Sequence, residues 1–269
     1  MMYHAKEGSI AIGNTEMPYI EFGAGVKPLI ILPGLADGLK SVRGQAMALA
    51  FLYRQFAKKY KVYFFSRKDD IEEGYSLKDM AVDQKIALEQ LGITKCCMMG
   101  VSQGGMIAQH FAIDYPDMVE KLILAVSASR VNDTMRRGLN TWMEYAKNND
   151  YASLMIDTLN KSYSPKKSRT YRLLYPLISR VGKPQSFARF LTQADACLKH
   201  NTYHELHRIA CPTLIVGGDS DQVVGPGASP EMAQIIAGSR LLIYPGLGHA
   251  AYEEGKDFNQ QVLDFLLNG

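Results

Sequence analysis

A serine flanked by glycines stands where a chain could present a catalytic nucleophile. Residues 100–104 read GVSQG, after the apolar run 96–99 and before a helical pattern that begins at Gln103. A sharp turn from strand to helix would lift the Ser102 hydroxyl above a sheet, and the glycines would let the backbones pack closely. The motif alone occurs by chance in roughly one chain in ten of this length. The strand before it and the helix after it are therefore what predict a nucleophile.

A serine hydroxyl attacks poorly until a neighbouring base takes its proton. The chain contains 6 histidines, and His249 ends the loop PGLGH over residues 245–249, directly after the apolar run 241–244. The glycines of this loop would let it fold back over the edge of a sheet. We therefore predict His249 as the general base that activates Ser102. The alternative is a solvated loop histidine.

The base needs a carboxylate that fixes its tautomer and stabilises the imidazolium. Two candidates, Asp219 and Asp221, lie in the segment GGDSD over residues 217–221, which follows the apolar run 213–216. We predict Asp221 as the carboxylate behind His249. Asp219 is expected to cap or shape the turn.

The tetrahedral intermediate of an acyl transfer needs two N–H donors in fixed positions. The first predicted donor is the backbone N–H of Gln103, which follows the nucleophile. The second is the backbone N–H of Leu35, in the segment PGLADG over residues 33–38. A simple glycine turn without a catalytic role is the alternative for this second segment.

The loops that carry these residues follow short apolar runs, and helical patterns separate the runs. Runs without alternation of polar and apolar residues are typical of strands covered on both faces. The predicted strands of this kind cover residues 29–32, 62–65, 96–99, 122–126, 213–216 and 241–244. Two weaker strands, over residues 9–13 and 18–22, predict an antiparallel hairpin at the sheet edge.

Helical patterns place apolar side chains on one face over residues 77–91 and 103–115, and again from about Glu254 onward. Gly92 follows the first pattern, where a C-terminal capping glycine is expected. This alternation predicts an α/β fold with an eight-stranded, mostly parallel sheet and helices on both faces. The active site of such a sheet is expected at the carboxyl ends of its strands.

The alternation stops between residues 130 and 208, where only helical and loop patterns remain. We therefore predict a core made of residues 1–129 and 209–269, with a helical lid insertion over residues 130–208. The insertion holds 14 Lys and Arg against 6 Asp and Glu, a balance of +8, whereas the rest of the chain carries −5. Such a surface could steer an anionic substrate or an acidic partner. A solvated helical surface is the plainer alternative.

The composition disfavours several other classes of protein. The 269 residues are 47% hydrophobic and 21% charged, as in ordinary globular proteins, and the net charge of +3 does not indicate nucleic-acid binding. No apolar stretch reaches about 18 residues, so no membrane span is predicted, and the N-terminus shows no secretory signal. Four cysteines without a CxxC pair favour a reducing environment and a cytoplasmic location.

Two weaker patterns could indicate metal or nucleotide binding. His200, His204 and His207 could share one helix face, but their spacing does not form the HExxH zinc motif. Residues 23–25, GAG, form only half of a dinucleotide-binding fingerprint. We therefore predict no metal and no cofactor.

The predicted site as a whole resembles that of the α/β-hydrolase superfamily, whose nucleophile, acid and base follow in the order Ser102, Asp221 and His249. Residues 100–109, GVSQGGMIAQ, resemble the nucleophile turn of esterases, carbon–carbon bond hydrolases and 3-oxoadipate enol-lactonases. Residues 211–224, CPTLIVGGDSDQVV, resemble the acid-bearing segment, and the insertion matches the helical lid of the superfamily. Many members have His-Gly where this chain has Pro33-Gly34, which leaves the backbone donor in place.

The resemblance implies a serine hydrolase that cleaves a small carboxylic ester, thioester or lactone through an acyl-enzyme, without a cofactor. Carbon–carbon bond hydrolysis or enol-lactone hydrolysis on the same triad is one alternative. A hydrolase-fold receptor that binds a ligand with little turnover is another. The expected partner is a small acyl substrate. Some members act on acyl groups of acidic carrier proteins, so the basic insertion could dock such a carrier.

Overall fold

Eight strands form one sheet in the computed structural model, which describes residues 2–178 and 182–268. The strands are β1 (Lys6–Ile12), β2 (Thr15–Phe22), β3 (Lys27–Leu32), β4 (Tyr60–Phe65), β5 (Cys96–Val101), β6 (Val119–Ala125), β7 (Thr213–Gly218) and β8 (Arg240–Tyr244). Their order across the sheet is β1-β2-β4-β3-β5-β6-β7-β8. Strand β2 pairs antiparallel with β1 and β4, and all other pairs are parallel. The predicted mostly parallel sheet with an edge hairpin is confirmed.

Helices cover the sheet and also fill a long connection between β6 and β7. Within the described residues they are α1 (Ala46–Leu52), α2 (Leu77–Gln90), α3 (Gln103–Asp114), α4 (Asp133–Lys147), α5 (Tyr151–Ser162), α6 (Pro165–Arg172), α7 (Tyr175–Ile178), α8 (Ala188–Leu198), α9 (Ala228–Ile235), α10 (Ala251–Glu254) and α11 (Phe258–Asn268). No helix among them is both long and apolar enough to cross a membrane.

The central strands are apolar because both of their faces are covered. All six residues of β5 are buried. Successive side chains of a strand point to opposite faces, so Met98 joins the hydrophobic cluster on one face and Met99 the cluster on the other. Cys96 and Cys97 are free thiols that divide between the same two clusters. The continuous apolar run that predicted this strand is thus explained by two-sided burial.

Local signals fix both ends of α2, the helix that packs beside α3. Ser76 caps its first turn: its hydroxyl accepts from the Asp79 N–H (3.1 Å), and the Asp79 carboxylate accepts from the Ser76 N–H (2.9 Å). Gly92 follows the C-terminus with a φ of +69°. Glycine adopts this left-handed region with the least strain because it has no Cβ atom. The capping prediction is therefore confirmed.

The prediction of one C-terminal helix from about Glu254 was wrong. The structure has the short helix α10 and then α11, which begins at Phe258. The break lies at Gly255, where a Cβ atom would stand 2.7 Å from the Ala251 carbonyl oxygen and 2.9 Å from the ring of Tyr244. The predicted apolar stripe is nevertheless buried, at Phe258, Val262 and Phe265.

The connection between β6 and β7 contains helices α4 to α8, and no strand lies among its described residues. Helix α4 packs against α5 and α8. Helix α8 in turn packs against the 3₁₀ turn Leu35–Gly38, which follows β3. At its base, a single antiparallel bridge joins Arg130 to Asn201. The helical connection therefore touches the same loop that sequence patterns proposed for the second oxyanion donor.

Burial of His200 gives the fold a predictable dependence on pH. His200 is 4% exposed, its Nε2–H donates to the Ala128 carbonyl (3.1 Å), and burial lowers its pKa to about 3. In the unfolded chain it binds a proton below about pH 6.5. Its contribution to stability is therefore complete above that pH and is lost as the pH falls. We expect the free energy of unfolding to lose about 2 kcal/mol from this residue between about pH 7.5 and pH 5.

Urea unfolding of His200→Gln across this pH range checks the expectation. The variant should show a shallower loss of stability on acidification than the wild type, whatever its stability at neutral pH. His204→Gln is the matched control because His204 is exposed. The same pH slope in the wild type and in His200→Gln would contradict the assignment.

Candidate active site

The turn between β5 and α3 holds Ser102 in an unusual backbone conformation, with φ 53° and ψ −118°. Its N–H donates to the Ala125 carbonyl (2.8 Å), and the Ser127 hydroxyl donates to its carbonyl (2.9 Å). A Cβ atom at Gly100 would lie 2.4 Å from the Gly104 carbonyl oxygen, and one at Gly104 would lie 2.0 Å from the carbonyl oxygen of β3's last residue. Both glycines are therefore required by close packing, as the motif predicts.

The structure brings the three predicted triad residues into one chain of hydrogen bonds. In the tautomer with its proton on Nδ1, His249 donates to Asp221 Oδ2 (2.9 Å). Its Nε2 then accepts from the Ser102 hydroxyl (2.8 Å). The other Asp221 oxygen, Oδ1, accepts from the N–H groups of Val223 (2.7 Å) and Val224 (2.9 Å). Both carboxylate oxygens thus have partners, which fixes the carboxylate behind the imidazole.

The second aspartate of the segment has a different position. Asp219 is exposed, and its Oδ1 accepts from the Gly246 N–H (2.7 Å) in the loop that carries His249. That loop packs tightly over the end of β7, since a Cβ atom at Gly218 would lie 2.2 Å from the Leu247 carbonyl oxygen. Asp219 therefore shapes the histidine loop, whereas Asp221 contacts the imidazole itself.

The two predicted oxyanion donors lie at the beginnings of helical turns. Leu35 opens the 3₁₀ turn after β3, and Gln103 is the first residue of α3. N–H groups at such positions have no partner inside the helix, and neither one donates a hydrogen bond to another described residue. Gly34 packs beside the nucleophile, where an added Cβ atom would lie 3.3 Å from the Cβ of Ser102. Both N–H groups are thus available next to the serine.

A cavity of about 520 Å³ opens over Ser102 and His249. Its walls are mainly apolar and come from the loop after β3, from α3 and from the helices between β6 and β7. Characteristic lining residues are Leu139, Trp142, Leu154, Met155, Phe190 and Val224. A volume in this range is typical of sites for small organic molecules. The serine hydroxyl therefore faces a space that suits an apolar substrate.

A buried charged cluster lies beneath the loop that carries Leu35, and sequence reasoning missed it. The Asp37 carboxylate accepts from the Ser66 hydroxyl (2.5 Å), from the Arg67 N–H (3.1 Å) and from Nη2 of Arg189 (2.7 Å). Arg189 also donates to the Asp37 carbonyl and, at 2.9 Å, to the Arg67 carbonyl. Because Arg189 belongs to α8, this cluster ties the helices between β6 and β7 to the loop that carries Leu35.

Arg67 connects the same cluster to the residue after the nucleophile. Its Nη2 donates to the Pro33 carbonyl (2.6 Å) and to Oε1 of Gln103 (2.7 Å). The Gln103 amide group donates in turn to the Gln193 carbonyl (3.0 Å) of α8. Burial lowers the pKa of Arg67 to about 10, with Asp37 opposing the shift. The guanidinium therefore stays charged at neutral pH and holds together the two segments that carry the predicted oxyanion donors.

No group of three or more His, Cys, Asp or Glu side chains in the described part of the chain is arranged to hold a metal ion. Three histidines form the possible metal-binding pattern in the sequence. Of these, His200 is buried, whereas His204 and His207 are exposed. They therefore do not share a face in the structure.

Comparison with known proteins agrees with this architecture. The family model of the alpha/beta hydrolase fold matches residues 27–256, so the chain belongs to the α/β-hydrolase fold family. A 2-hydroxy-6-oxononadienedioate/2-hydroxy-6-oxononatrienedioate hydrolase of a Pseudomonas species is 28% identical over 190 residues, which are 68% of this chain and 66% of that protein. The chain thus spans just under two thirds of the length of this relative.

Two further similarities concern ester and lactone enzymes. The pimeloyl-(acyl-carrier protein) methyl ester esterase of Neisseria meningitidis is 27% identical over 181 residues, which are 64% of this chain and 69% of that protein. The solved enol-lactonase of Burkholderia xenovorans superposes with a TM-score of 0.82 at 20% identity, covering 97% of this chain and 100% of its own. These similarities support the predicted family and fold, and they span several kinds of bond cleavage.

The different positions of the two aspartates give a test of the site. Asp221→Asn should slow the reaction of Ser102 with a fluorophosphonate by about 10³-fold to 10⁴-fold, because an amide cannot hold the imidazole in the required tautomer. Asp219→Asn should cost less than about tenfold, because its remaining carbonyl oxygen can still accept from the Gly246 N–H. Labelling rates of both folded variants provide the measurement. A larger loss in Asp219→Asn would reverse the assignment.

Proposed function

We propose that the protein is a serine hydrolase that cleaves a neutral carboxylic ester with an apolar chain through an acyl-enzyme. The observation that carries this proposal is the unbroken chain of hydrogen bonds from Asp221 through His249 to Ser102, which ends at the floor of an apolar cavity. A ligand receptor needs the cavity but gains nothing from such an alignment. The alignment therefore favours catalysis over binding alone.

In the first half of the reaction, His249 Nε2 takes the proton of the Ser102 hydroxyl while Oγ attacks the acyl carbonyl carbon. The carbonyl oxygen becomes negative and is stabilised by the N–H groups of Leu35 and Gln103. Asp221 stabilises the imidazolium that forms. When the intermediate collapses, the bond to the alcohol oxygen breaks and the imidazolium protonates that oxygen.

In the second half, water replaces the alcohol. His249 Nε2 takes one proton of the water while its oxygen attacks the acyl carbon of the ester on Ser102. The same N–H groups stabilise the second oxyanion. Collapse breaks the bond to Oγ, which regains its proton from the imidazolium and releases the carboxylic acid. One ester and one water give one acid and one alcohol, so no cofactor is required.

The cavity wall favours a neutral substrate over the dicarboxylates for which the Pseudomonas relative is named. A substrate with two carboxylates needs cationic partners in the pocket, because burying an unpaired charge is costly. Among the described residues of the wall, Lys40 is the one Lys, Arg, Asp or Glu side chain, and it is exposed. Hydrolysis of a carbon–carbon bond on the same triad therefore ranks second.

The helices between β6 and β7 supply the remaining part of the proposal. Residues of α4, α5 and α8 line the cavity together with the loop after β3. We infer that residues 130–208 act as a lid, which excludes water from the acyl-enzyme until the alcohol has left. In this role the predicted insertion would protect the acyl-enzyme that forms on the predicted core.

Kinetics with p-nitrophenyl esters of varied acyl length test the activity. We expect turnover of at least one of these esters, and we expect Ser102→Ala to lower kcat by about 10⁴-fold or more, because the scheme has no second nucleophile. Circular dichroism should show that the variant is folded. Retention of half the wild-type rate would refute the mechanism, and labelling without turnover of any ester would favour the receptor.

The insertion also presents positive charge that could receive an acidic carrier protein. Exposed Lys166, Lys167, Arg169 and Arg172 lie on α6, and none of them forms an ion pair with a described residue. The esterase from Neisseria is named for a substrate on an acyl-carrier protein. We therefore propose an acyl group on an acidic carrier as one form of the substrate.

Salt dependence tests this partner. Because the Debye length falls from about 10 Å at 0.1 M to about 3 Å at 1 M salt, kcat/KM for a carrier-bound ester should fall with salt, whereas that for a small neutral ester should not. Reversing the charges of Arg136, Arg137, Lys166 and Lys167 should reproduce this fall at low salt. Reversal of the exposed pair Lys58 and Lys59, outside the insertion, is the matched control. Equal salt dependence for both substrates would refute the docking.

A further inference from the structure

Gly138 is a buried residue whose missing side chain leaves open space. It lies in the interior of α4 and lines the cavity over the nucleophile. Apart from the helix's own backbone and the two neighbouring residues, no atom would lie within 4 Å of a Cβ atom added there. Buried glycines usually mark a close approach of two backbones, as Gly104 does, and that reason is absent here. A glycine in a helix interior lowers helix stability relative to alanine, so another reason for its presence must lie in the cavity.

The neighbours of Gly138 form a continuous apolar wall. Met135, Leu139 and Trp142, which share the inner side of α4, are buried and line the same cavity. At the start of the helix, Asn132 donates to the Val224 carbonyl (2.7 Å), next to the segment that holds Asp221. Gly138 stands six residues further along, about 9 Å at 1.5 Å per residue. The open space beside Gly138 therefore lies further along α4, away from the Asp221 carboxylate.

We infer that Gly138 is a specificity-determining residue, which keeps open the part of the cavity that accepts the far end of an unbranched apolar chain. The inference rests on the proposed function, because the chain belongs to the ester that Ser102 attacks. A larger side chain at this position would fill the channel beyond the reacting carbonyl. Short esters would still reach Ser102, whereas long ones would lose the contacts of their last carbons.

Kinetics of Gly138→Leu test this role. We expect the ratio of kcat/KM for p-nitrophenyl octanoate to that for p-nitrophenyl acetate to fall by about tenfold or more, because several methylene groups lose their burial. The same comparison with octyl acetate and methyl acetate covers a chain on the alcohol side. A loss in either series supports the inference, and unchanged ratios in both overturn it.

Two control variants separate chain length from effects on the helix. Gly138→Ala adds only one methyl group to the open space, so it should raise Tm and lower the ratio less than Gly138→Leu does. Asn140→Leu places the same leucine on the exposed side of α4, and it should also keep the ratio. A fall of the same size in Asn140→Leu would overturn the inference, because the effect would then come from the helix.

A binding measurement distinguishes failure of this inference from failure of the proposed function. Trp142 is the one tryptophan of the chain and lines the cavity, so its emission should report a bound chain. Methyl octanoate and octyl acetate are each titrated into Ser102→Ala, and into the same variant with Gly138→Leu or Asn140→Leu. Weaker binding of either ester only with Gly138→Leu supports the chain-length role, even if the wild type hydrolyses no ester. Equal affinities in all three variants for both esters overturn it.

Discussion

The backbone at Ser102 has a positive φ of 53°, a region that residues with a Cβ atom seldom occupy. The surrounding packing has to hold this conformation, and it does so through Gly100 and Gly104, which let β5, α3 and the end of β3 approach closely. The same approach places the loop after β3 beside the first turn of α3. Ser102 and the two proposed oxyanion donors therefore share one packing constraint, rather than being positioned by three independent loops.

Buried charged residues under the candidate site connect the loop after β3 to the helices between β6 and β7. Asp37 and Arg67 are nearly inaccessible to solvent, and each would be costly to bury alone. Arg189 of α8 supplies the second cation, and its hydrogen bonds cross from the helices to the core. The cavity wall and the loop that carries Leu35 are thus held by the same ion pairs. In the proposed function, substrate enclosure and stabilisation of the intermediate would consequently depend on one set of contacts.

The elements that could be predicted from the sequence are those with local signals. Ser102, Asp221 and His249 each follow an apolar run, so parallel strands alone bring their loops to one edge. The sequence pattern did not predict the break at Gly255, where a Cβ atom would meet the ring of Tyr244 of β8. Nothing near Arg67 in the sequence indicates burial, since its contact with Arg189 spans 122 residues. The structural role of a residue cannot be predicted from the sequence where the residues that contact it lie far along the chain.

The salt bridge between Arg189 and Asp37 also limits which insertions can be exchanged between related proteins. An insertion taken from a relative that lacks a cation at this position would leave the buried Asp37 carboxylate with Arg67 as its nearest cation, whose Nη1 lies 4.0 Å away. Since removing one partner of a buried pair is strongly destabilising, a chimera would have to transfer the arginine with the helices or replace the aspartate in the recipient. The topology therefore permits exchange of the insertion at residues 130 and 208. The buried Asp37 carboxylate, however, restricts which insertions can be accepted.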